Sequence, residues 1–281
     1  MKEKYQPKIS ILTPSFNQGK YIEENIQSVL NQNYPNFEHI IIDGGSTDNT
    51  VEILKKYPHL IWVSEKDEGQ SDALNKGLAM STGEIIGWIN SDDYYEKNIF
   101  NEVAKEFENK EVQWVIGNLI DKYELINKYY KRKSPKVTYK TLIGPKCVMR
   151  QQGTFFRKNL VLKAGGWDKD IYMCMDWDLW IKMAKISEPK MVDKYWAYFR
   201  MHDDQKSSAK NILRQIDELK KIYKREGVPL IIQYRVYFRS YKTLIKSQIK
   251  IVLVKIHLMD KKYLNIPYFG SRKYTNNIIE K

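Results

Sequence analysis

The chain has 281 residues, 42% of them hydrophobic, enough for one large α/β domain with an appendage. Its formal net charge of +13 lies almost wholly at one end, since Lys210 to Lys281 holds 17 Lys and Arg against 5 Asp and Glu. No nucleic-acid motif accompanies that basicity and no charge-free apolar run is long enough to span a bilayer, so neither class is supported. Cys147 and Cys174 lack metal-type spacing, and the first seven residues lack the apolar stretch of a secretory leader. A reduced, cytoplasmic setting is the expectation.

In chain order, Lys8 to Pro14 reads as a strand, and Tyr21 to Asn31 as a helix with apolar positions at Ile22, Ile26, Val29 and Leu30. Phe37 to Asp43 is a second strand, followed by a turn at Gly44–Asp48 and a helix from Asn49 to Tyr57. Leu60 to Ser64 is a third strand, Ser71 to Ala79 a helix, and Glu84 to Ile89 a fourth strand. Strands separated by single helices predict parallel pairing, with ligands at the carboxyl ends of the strands. Thr13, Asp43, Ser64, Glu65, Asp92 and Asp93 all fall at such ends and are expected to converge.

The second half is less regular. Helices are expected at Phe100–Phe107, Leu160–Ala164 and Asp176–Ala184, and strands at Gln113–Ile120 and Met191–Arg200. Tyr123 to Pro145 reads as a loop or small sheet over the cleft.

Asn90-Ser91-Asp92-Asp93 is the most informative stretch. Adjacent carboxylates at the end of a buried strand are costly unless paired, and they suit a divalent cation that keeps positions open for phosphate oxygens. Capping of the next helix is the bland alternative. Asp43, before a Gly-Gly turn, suits a base N–H or an Asx turn, and Ser46 and Asp48 are free to cap instead. Thr13, Pro14, Ser15, Phe16 and Asn17 close the first strand, where the backbone can approach a ribose or base. Asp72 and Lys76 stand one helical turn apart and can pair with each other. Asp176-Trp177-Asp178 opens a helix, so Asp176 is either a general base or first-turn charge favoured by the helix dipole. His202 ends the last strand, and one histidine gains weight as a ligand only beside carboxylates.

Five motifs in this order resemble a family 2 glycosyltransferase of the bacterial polysaccharide or glycoconjugate type. They are Ile9–Asn17, Ile40–Thr50, Ser64–Gly77, Asn90–Asp93 and Met175–Trp180, and the resemblance covers roughly residues 7–205. It implies the GT-A fold: an α/β, Rossmann-like, mostly parallel sheet flanked by helices, with a helical C-terminal extension. The expected division is a catalytic domain at 1–208 (nucleotide-sugar half about 7–95, acceptor half about 96–208) and a basic extension at 209–281. By the same similarity Thr13, Pro14, Ser15, Asn17, Asp43, Lys66, Asp72 and Asp92 hold the nucleoside and phosphates. Asp93 and His202 ligate Mn²⁺ or Mg²⁺, Asp93 being the direct carboxylate ligand. The motif's first acidic position is Ser91 or Asn90 here. Asp176 matches the catalytic acid, preceded by Met175 where an acid is often found. Trp88, Gln152, Gly153 and Trp177 fall on the sugar and acceptor side.

The resemblance implies inverting transfer of a hexosyl or N-acetylhexosaminyl group. The donor would be a nucleoside-diphosphate sugar, UDP by default, and the acceptor a hydroxyl of a glycan or lipid-linked glycan. A non-catalytic nucleotide-sugar binder and a glycoside hydrolase are the alternatives. The segment Leu230 to Asp260 reads as a long helix with a basic stripe at Arg235, Arg239, Lys242, Lys246 and Lys250. Its apolar positions are Ile232, Val236, Ile249, Val252, Leu253 and Ile256. Two readings stand side by side: the helix lies on an anionic membrane at the inner face of the plasma membrane, or it docks on the catalytic body or a second subunit.

Overall fold

A computed structural model describes residues 5–144, 150–202, 205–206, 211–255 and 278–279. The β-branched runs near the N-terminus form parallel strands, three of them buried on both faces as strands covered by helices must be, and the edge strand Leu60–Ser64 only partly buried. These are β1 (Ile9–Ser15), β2 (Phe37–Asp43), β3 (Leu60–Ser64) and β4 (Ile85–Trp88), ordered β3-β2-β1-β4 and all parallel. Helices α1 (Ile22–Leu30), α2 (Thr50–Leu54) and α3 (Gln70–Met80) connect them in turn. Helix α2 is five residues long, shorter than the expected 49–57, because the chain tightens after it into turns, with Lys56 N–H bonded to the Ile53 carbonyl and Tyr57 N–H to that of Leu54. The chain leaves the β3 edge and returns beside β1 at β4. The carboxyl ends of β1 and β4 therefore flank a crevice where the strand order reverses, the usual ligand position in such sheets. Helix α3 packs over Leu12 of β1 and Ile42 of β2 at Gly77.

Beyond β4 the sheet turns mixed. The short β5 (Tyr94–Tyr95) follows the acidic motif, then α4 (Ile99–Glu106) and β6 (Trp114–Tyr123). Residues 123–145 hold a 3₁₀ turn (Glu124–Ile126), β7 (Lys128–Arg132) and α5 (Tyr139–Leu142), so the small-sheet expectation was right as far as Gly144. Next come β8 (Thr154–Arg157), α6 (Lys158–Lys163), α7 (Met175–Ile186) and β9 (Lys190–Met201). Strand β8 lies antiparallel between β4 and β6, while β9 runs parallel to β6 and antiparallel to β5. A last two-residue strand, β10 (Ile278–Ile279), pairs antiparallel with β7.

Two helices complete the described chain, α8 (Ile212–Arg225) and α9 (Leu230–Lys255). Leu219, Ile222 and Tyr223 of α8 lie in the same apolar core as Trp180 of α7 and Trp88 of β4. Glu218, buried in α8, accepts the backbone N–H groups of Tyr172, Met173 and Cys174 at 3.0, 2.6 and 2.9 Å. Helix α8 thus holds the loop that launches α7, and the packed body runs on past residue 208. Within this core Trp88 is 2% exposed, edge-on to Trp167 at 5.6 Å and tilted against Trp180 at 6.3 Å. The expectation of Trp88 as a sugar platform is corrected: its ring faces inward, where no ligand reaches it.

Candidate active site

The register of β1, β2 and β3 aligns Ser15, Asp43 and Ser64 at one sheet edge. Asp43 is fully buried. Its Oδ2 accepts the N–H of Ser46 at 2.9 Å and the hydroxyl of Ser64 at 2.7 Å, and its Oδ1 the hydroxyl of Ser46 at 2.5 Å. Asp43 itself therefore holds the turn, with Gly45 in the left-handed region at φ +80°; of about four acceptor positions on a carboxylate, one on Oδ1 remains. Asp48 instead caps α2, accepting from Thr50 N–H at 3.0 Å and from Gly19 N–H at 2.9 Å. Thr13 is buried with its hydroxyl 2.9 Å from His39 Nε2, and burial lowers the His39 pKa to about 3, so that ring is neutral. Only the backbone of Thr13 is left for a ligand. Pro14 and Ser15 are buried, while Asn17 is exposed at φ +52° with its Oδ1 accepting Thr47 N–H at 2.8 Å. The neighbouring Phe16 ring is exposed at this edge, an aromatic surface that composition did not single out.

The loop before α3 divides its charges. Lys66 is exposed, and Asp67 stands so near Gly44 that a side chain there would meet it. Asp72 is buried and pairs with Lys169 at 2.5 Å and Lys76 at 3.4 Å, which lowers its pKa, Lys169 being the main cause. The expected i,i+4 pair is present, and Lys169 makes Asp72 a strut rather than a phosphate ligand; an anionic carboxylate also repels phosphate.

Strand β9 sets the acidic motif. Tyr94 pairs with Tyr198 and Tyr95 with Ala197, which brings the chain end of β9 over Asp92 and Asp93. Asp93 is 1% exposed, with Oδ1 accepting Arg200 N–H at 2.8 Å and Oδ2 accepting Gln152 Nε2–H at 2.7 Å. Burial, then the neighbouring Asp92 charge, pushes its pKa well up. Each Asp93 oxygen thus accepts one protein donor, so Asp93, expected as the direct metal ligand, sits more enclosed than its neighbour Asp92. Asp92 is the more exposed carboxylate, and its Oδ2 lies 3.1 Å from His202 Nε2. Arg200, buried between Glu24 and Glu124, donates Nε–H to the Asp92 carbonyl at 2.7 Å and fixes the loop.

That pair fits a divalent cation. Donors at right angles about an ion, each about 2.1 Å away, sit about 3 Å apart. Among the described residues no group of three or more His, Cys, Asp and Glu side chains could hold a metal alone. Two protein ligands would leave the remaining positions to phosphate oxygens and water, as such ions prefer.

Helix α7 supplies Asp176, half-buried, with Oδ1 accepting Trp177 N–H at 2.7 Å. Burial raises its pKa, while that N–H and the Lys206 charge act the other way. Asp178 is a structural anchor, fully buried between Arg225 at 2.5 Å and Lys182 at 2.6 Å. Trp177 donates its indole N–H to the Leu142 carbonyl at 2.9 Å, which leaves only part of its ring toward the cleft. Gln152 and Gly153 are buried beside Asp93; the Gly153 carbonyl accepts Gly117 N–H at 2.9 Å, and a Cβ added at Gly153 would come 3.1 Å from the Gly117 carbonyl oxygen.

Lys206 was not foreseen. Its Nζ donates to Gln70 Oε1 at 2.7 Å and lies 3.8 Å above the Tyr172 ring, whose other cation is Arg214 at 4.0 Å. Gln70 Nε2 in turn donates to Asn90 Oδ1 at 2.7 Å. One hydrogen-bonded line thus joins the acidic motif, the start of α3 and the segment after His202, with Asp176 within the Lys206 field. Burial lowers the Lys206 pKa to about 8, partly offset by Asp176 and Glu218. The only signal in the sequence is a lysine four residues past His202, in a polar stretch with no period.

The model of the family described as Glycosyl transferase family 2 matches residues 10–175. An uncharacterized glycosyltransferase of Mycobacterium tuberculosis is 30% identical over 188 residues, 65% of this chain and 71% of that protein. The putative teichuronic acid biosynthesis glycosyltransferase TuaG of Bacillus subtilis is 37% identical over 100 residues, 34% of this chain and 39% of that one. Among solved structures, the mannosyltransferase PcManGT of Pyrobaculum calidifontis, in complex with GDP-Man and Mn²⁺, aligns with TM-score 0.60 at 18% identity, over 92% of this chain and 77% of that one. S. aureus TarS 1–349 aligns with TM-score 0.59 at 20% identity, over 76% of this chain and 64% of that one, so the chain spans less than two thirds of that structure. With a match over more than half its length, on the curled mixed sheet of the GT-A glycosyltransferases, this chain belongs to glycosyl transferase family 2.

Proposed function

We propose that the protein is an inverting, metal-dependent glycosyltransferase of cell-surface polysaccharide or glycoconjugate synthesis. The observation that carries this reading is the gathering of Asp92 with His202, and of Asp176 with Lys206, at one sheet edge joined through Gln70 and Asn90. The acceptor hydroxyl oxygen bonds to the anomeric carbon, and the bond from that carbon to the diphosphate oxygen breaks with its electron pair. Asp176 takes the acceptor proton as that bond forms. Asp92 and His202 would hold a divalent cation, whose chemistry is to neutralise the leaving nucleoside diphosphate. Imidazole among the ligands favours a transition ion such as Mn²⁺ over Mg²⁺. The acceptor is a glycan or lipid-linked glycan hydroxyl, met on the cytoplasmic side at the inner face of the plasma membrane.

A hexosyl or N-acetylhexosaminyl UDP-sugar is the donor under this reading. The free acceptor position on Asp43 Oδ1 suits the imide N–H of uracil, and TarS has been solved with UDP and with UDP-GlcNAc. A thermal-shift screen of nucleoside diphosphates with Mn²⁺ tests it. UDP is expected to raise the melting temperature and EDTA to cancel the rise; stabilisation by GDP alone overturns the UDP assignment, and none by any nucleotide overturns the reading.

The Lys206 charge opposes the rise that burial causes in the Asp176 pKa and so favours its ionised form. Lys206 is the cation whose charge lowers the Asp176 pKa, and Arg214, paired with Glu218 at 3.1 Å, is engaged elsewhere. A nearby cation lowers a carboxyl pKa, and its removal raises it. Lys206→Met is therefore expected to shift the acid limb of the kcat/KM profile to higher pH, with loss greatest in acid. An unmoved limb would show that Lys206 does not tune the base.

A further inference from the structure

Among the described side chains, helix α9 meets the body through the face that carries Ile232, Val236 and Tyr237. Val236 is buried and Ile232 and Tyr237 pack against the core around Tyr223. Two of the expected apolar positions, Ile232 and Val236, thus belong to the docked face, while the side chains of Val252, Leu253 and Ile256 lie outside the described residues. A second apolar stripe points away. From Ile231 on, Tyr234, Phe238, Tyr241, Ile245 and Ile249 follow at steps of three and four, with Leu230 beside them, and all are exposed, Phe238 by 70%. At 100° per residue they cover a sector of about 100°, and Arg235, Arg239, Lys242 and Lys246 fill the next one, between that stripe and the docked face. From Leu230 to Lys255 the helix has six basic residues and no acidic one.

We infer that this outward stripe of α9 lies in the interface plane of an anionic membrane, its apolar residues among the acyl chains and its Arg and Lys at the headgroups. An apolar face bordered by cations alone is the chemistry such a surface recognises. A second copy of the chain is the poorer occupant, because two such helices would bring like charges together. Among the described residues no helix is long and apolar enough to cross a membrane, which agrees with a helix lying flat. This deepens the membrane-side acceptor reading above, yet its test needs neither donor nor acceptor, so failure here leaves sugar transfer standing.

The experiment is co-sedimentation of the full chain with phosphatidylcholine vesicles and with phosphatidylcholine–phosphatidylglycerol vesicles. Binding to the anionic vesicles alone is expected, weakening with salt. Arg235→Gln and Lys242→Gln are each expected to weaken it about fivefold. The pair Phe238→Glu and Ile245→Glu is expected to abolish it with an unchanged melting temperature, as both side chains are exposed. Absent or lipid-independent binding overturns the inference. So does sedimentation velocity showing a dimer that the Phe238→Glu and Ile245→Glu pair dissociates.

Discussion

Replacing Asp176 with Asn is expected to lower the rate of sugar transfer about 10²–10⁴-fold, the range a positioned base contributes, with donor affinity unchanged. The substitution keeps the shape of the side chain and an oxygen to accept Trp177 N–H, so the start of α7 stays in place. What is lost is the lone pair that takes the acceptor proton. Asp178 is the informative control. It stands two residues on, yet its carboxylate is buried between Arg225 and Lys182 and faces away from the cleft chemistry. Asp178→Asn weakens a buried, doubly paired anion and should lower stability by about 3–5 kcal/mol, while the surviving folded enzyme turns over normally. Single-turnover rates with saturating donor, set beside denaturant unfolding, separate the two. A near-wild-type rate for Asp176→Asn would remove Asp176 from the mechanism.

The parallel half was legible because its signals are local. Ile9–Ser15 and Ile85–Trp88 are short apolar runs closed by Pro, Gly, Asn or Asp, and a strand buried on both faces has to look like that. Ser15, Asp43 and Ser64 then share an edge by connectivity alone. The roles of individual side chains were not legible, because each depends on a partner delivered from far along the chain. Whether Asp92 or Asp93 faces solvent follows from the β5–β9 register, which hands Arg200 N–H to Asp93 and His202 to Asp92. Whether Asp43 holds a turn or a base follows from where Ser64 on β3 points. Trp88 could line a cleft or a core until Trp167 and Trp180 close over it. Helix α8 is a different case. Ile212, Ile216, Leu219, Ile222 and Tyr223 carry a plain helical period, but it sits in the basic stretch that charge alone had assigned to an appendage.

The second large effect follows from assigning the cation to Asp92, the more exposed carboxylate, rather than to Asp93. With Asp92 and His202 as the protein ligands among the described residues, the cation and the nucleoside diphosphate complete one another's coordination, so each should tighten the other by the same factor. Mn²⁺ titrated into the protein alone is expected to bind weakly, and far more tightly when UDP is present. Asp92→Asn and His202→Ala remove a ligand each. Loss of an outer-shell partner already costs about 10–100-fold in metal affinity, so each variant should lose at least about 100-fold in UDP-linked Mn²⁺ binding by calorimetry. Asp93→Asn should behave otherwise. An amide in that pocket sets an NH₂ against either Arg200 N–H or the Gln152 amide, leaving a buried donor unpaired at a cost of about 1–3 kcal/mol. Its melting temperature should fall while the protein that stays folded keeps most of its Mn²⁺ affinity. If Asp93→Asn abolishes metal binding and Asp92→Asn spares it, the two carboxylates have been assigned the wrong way round.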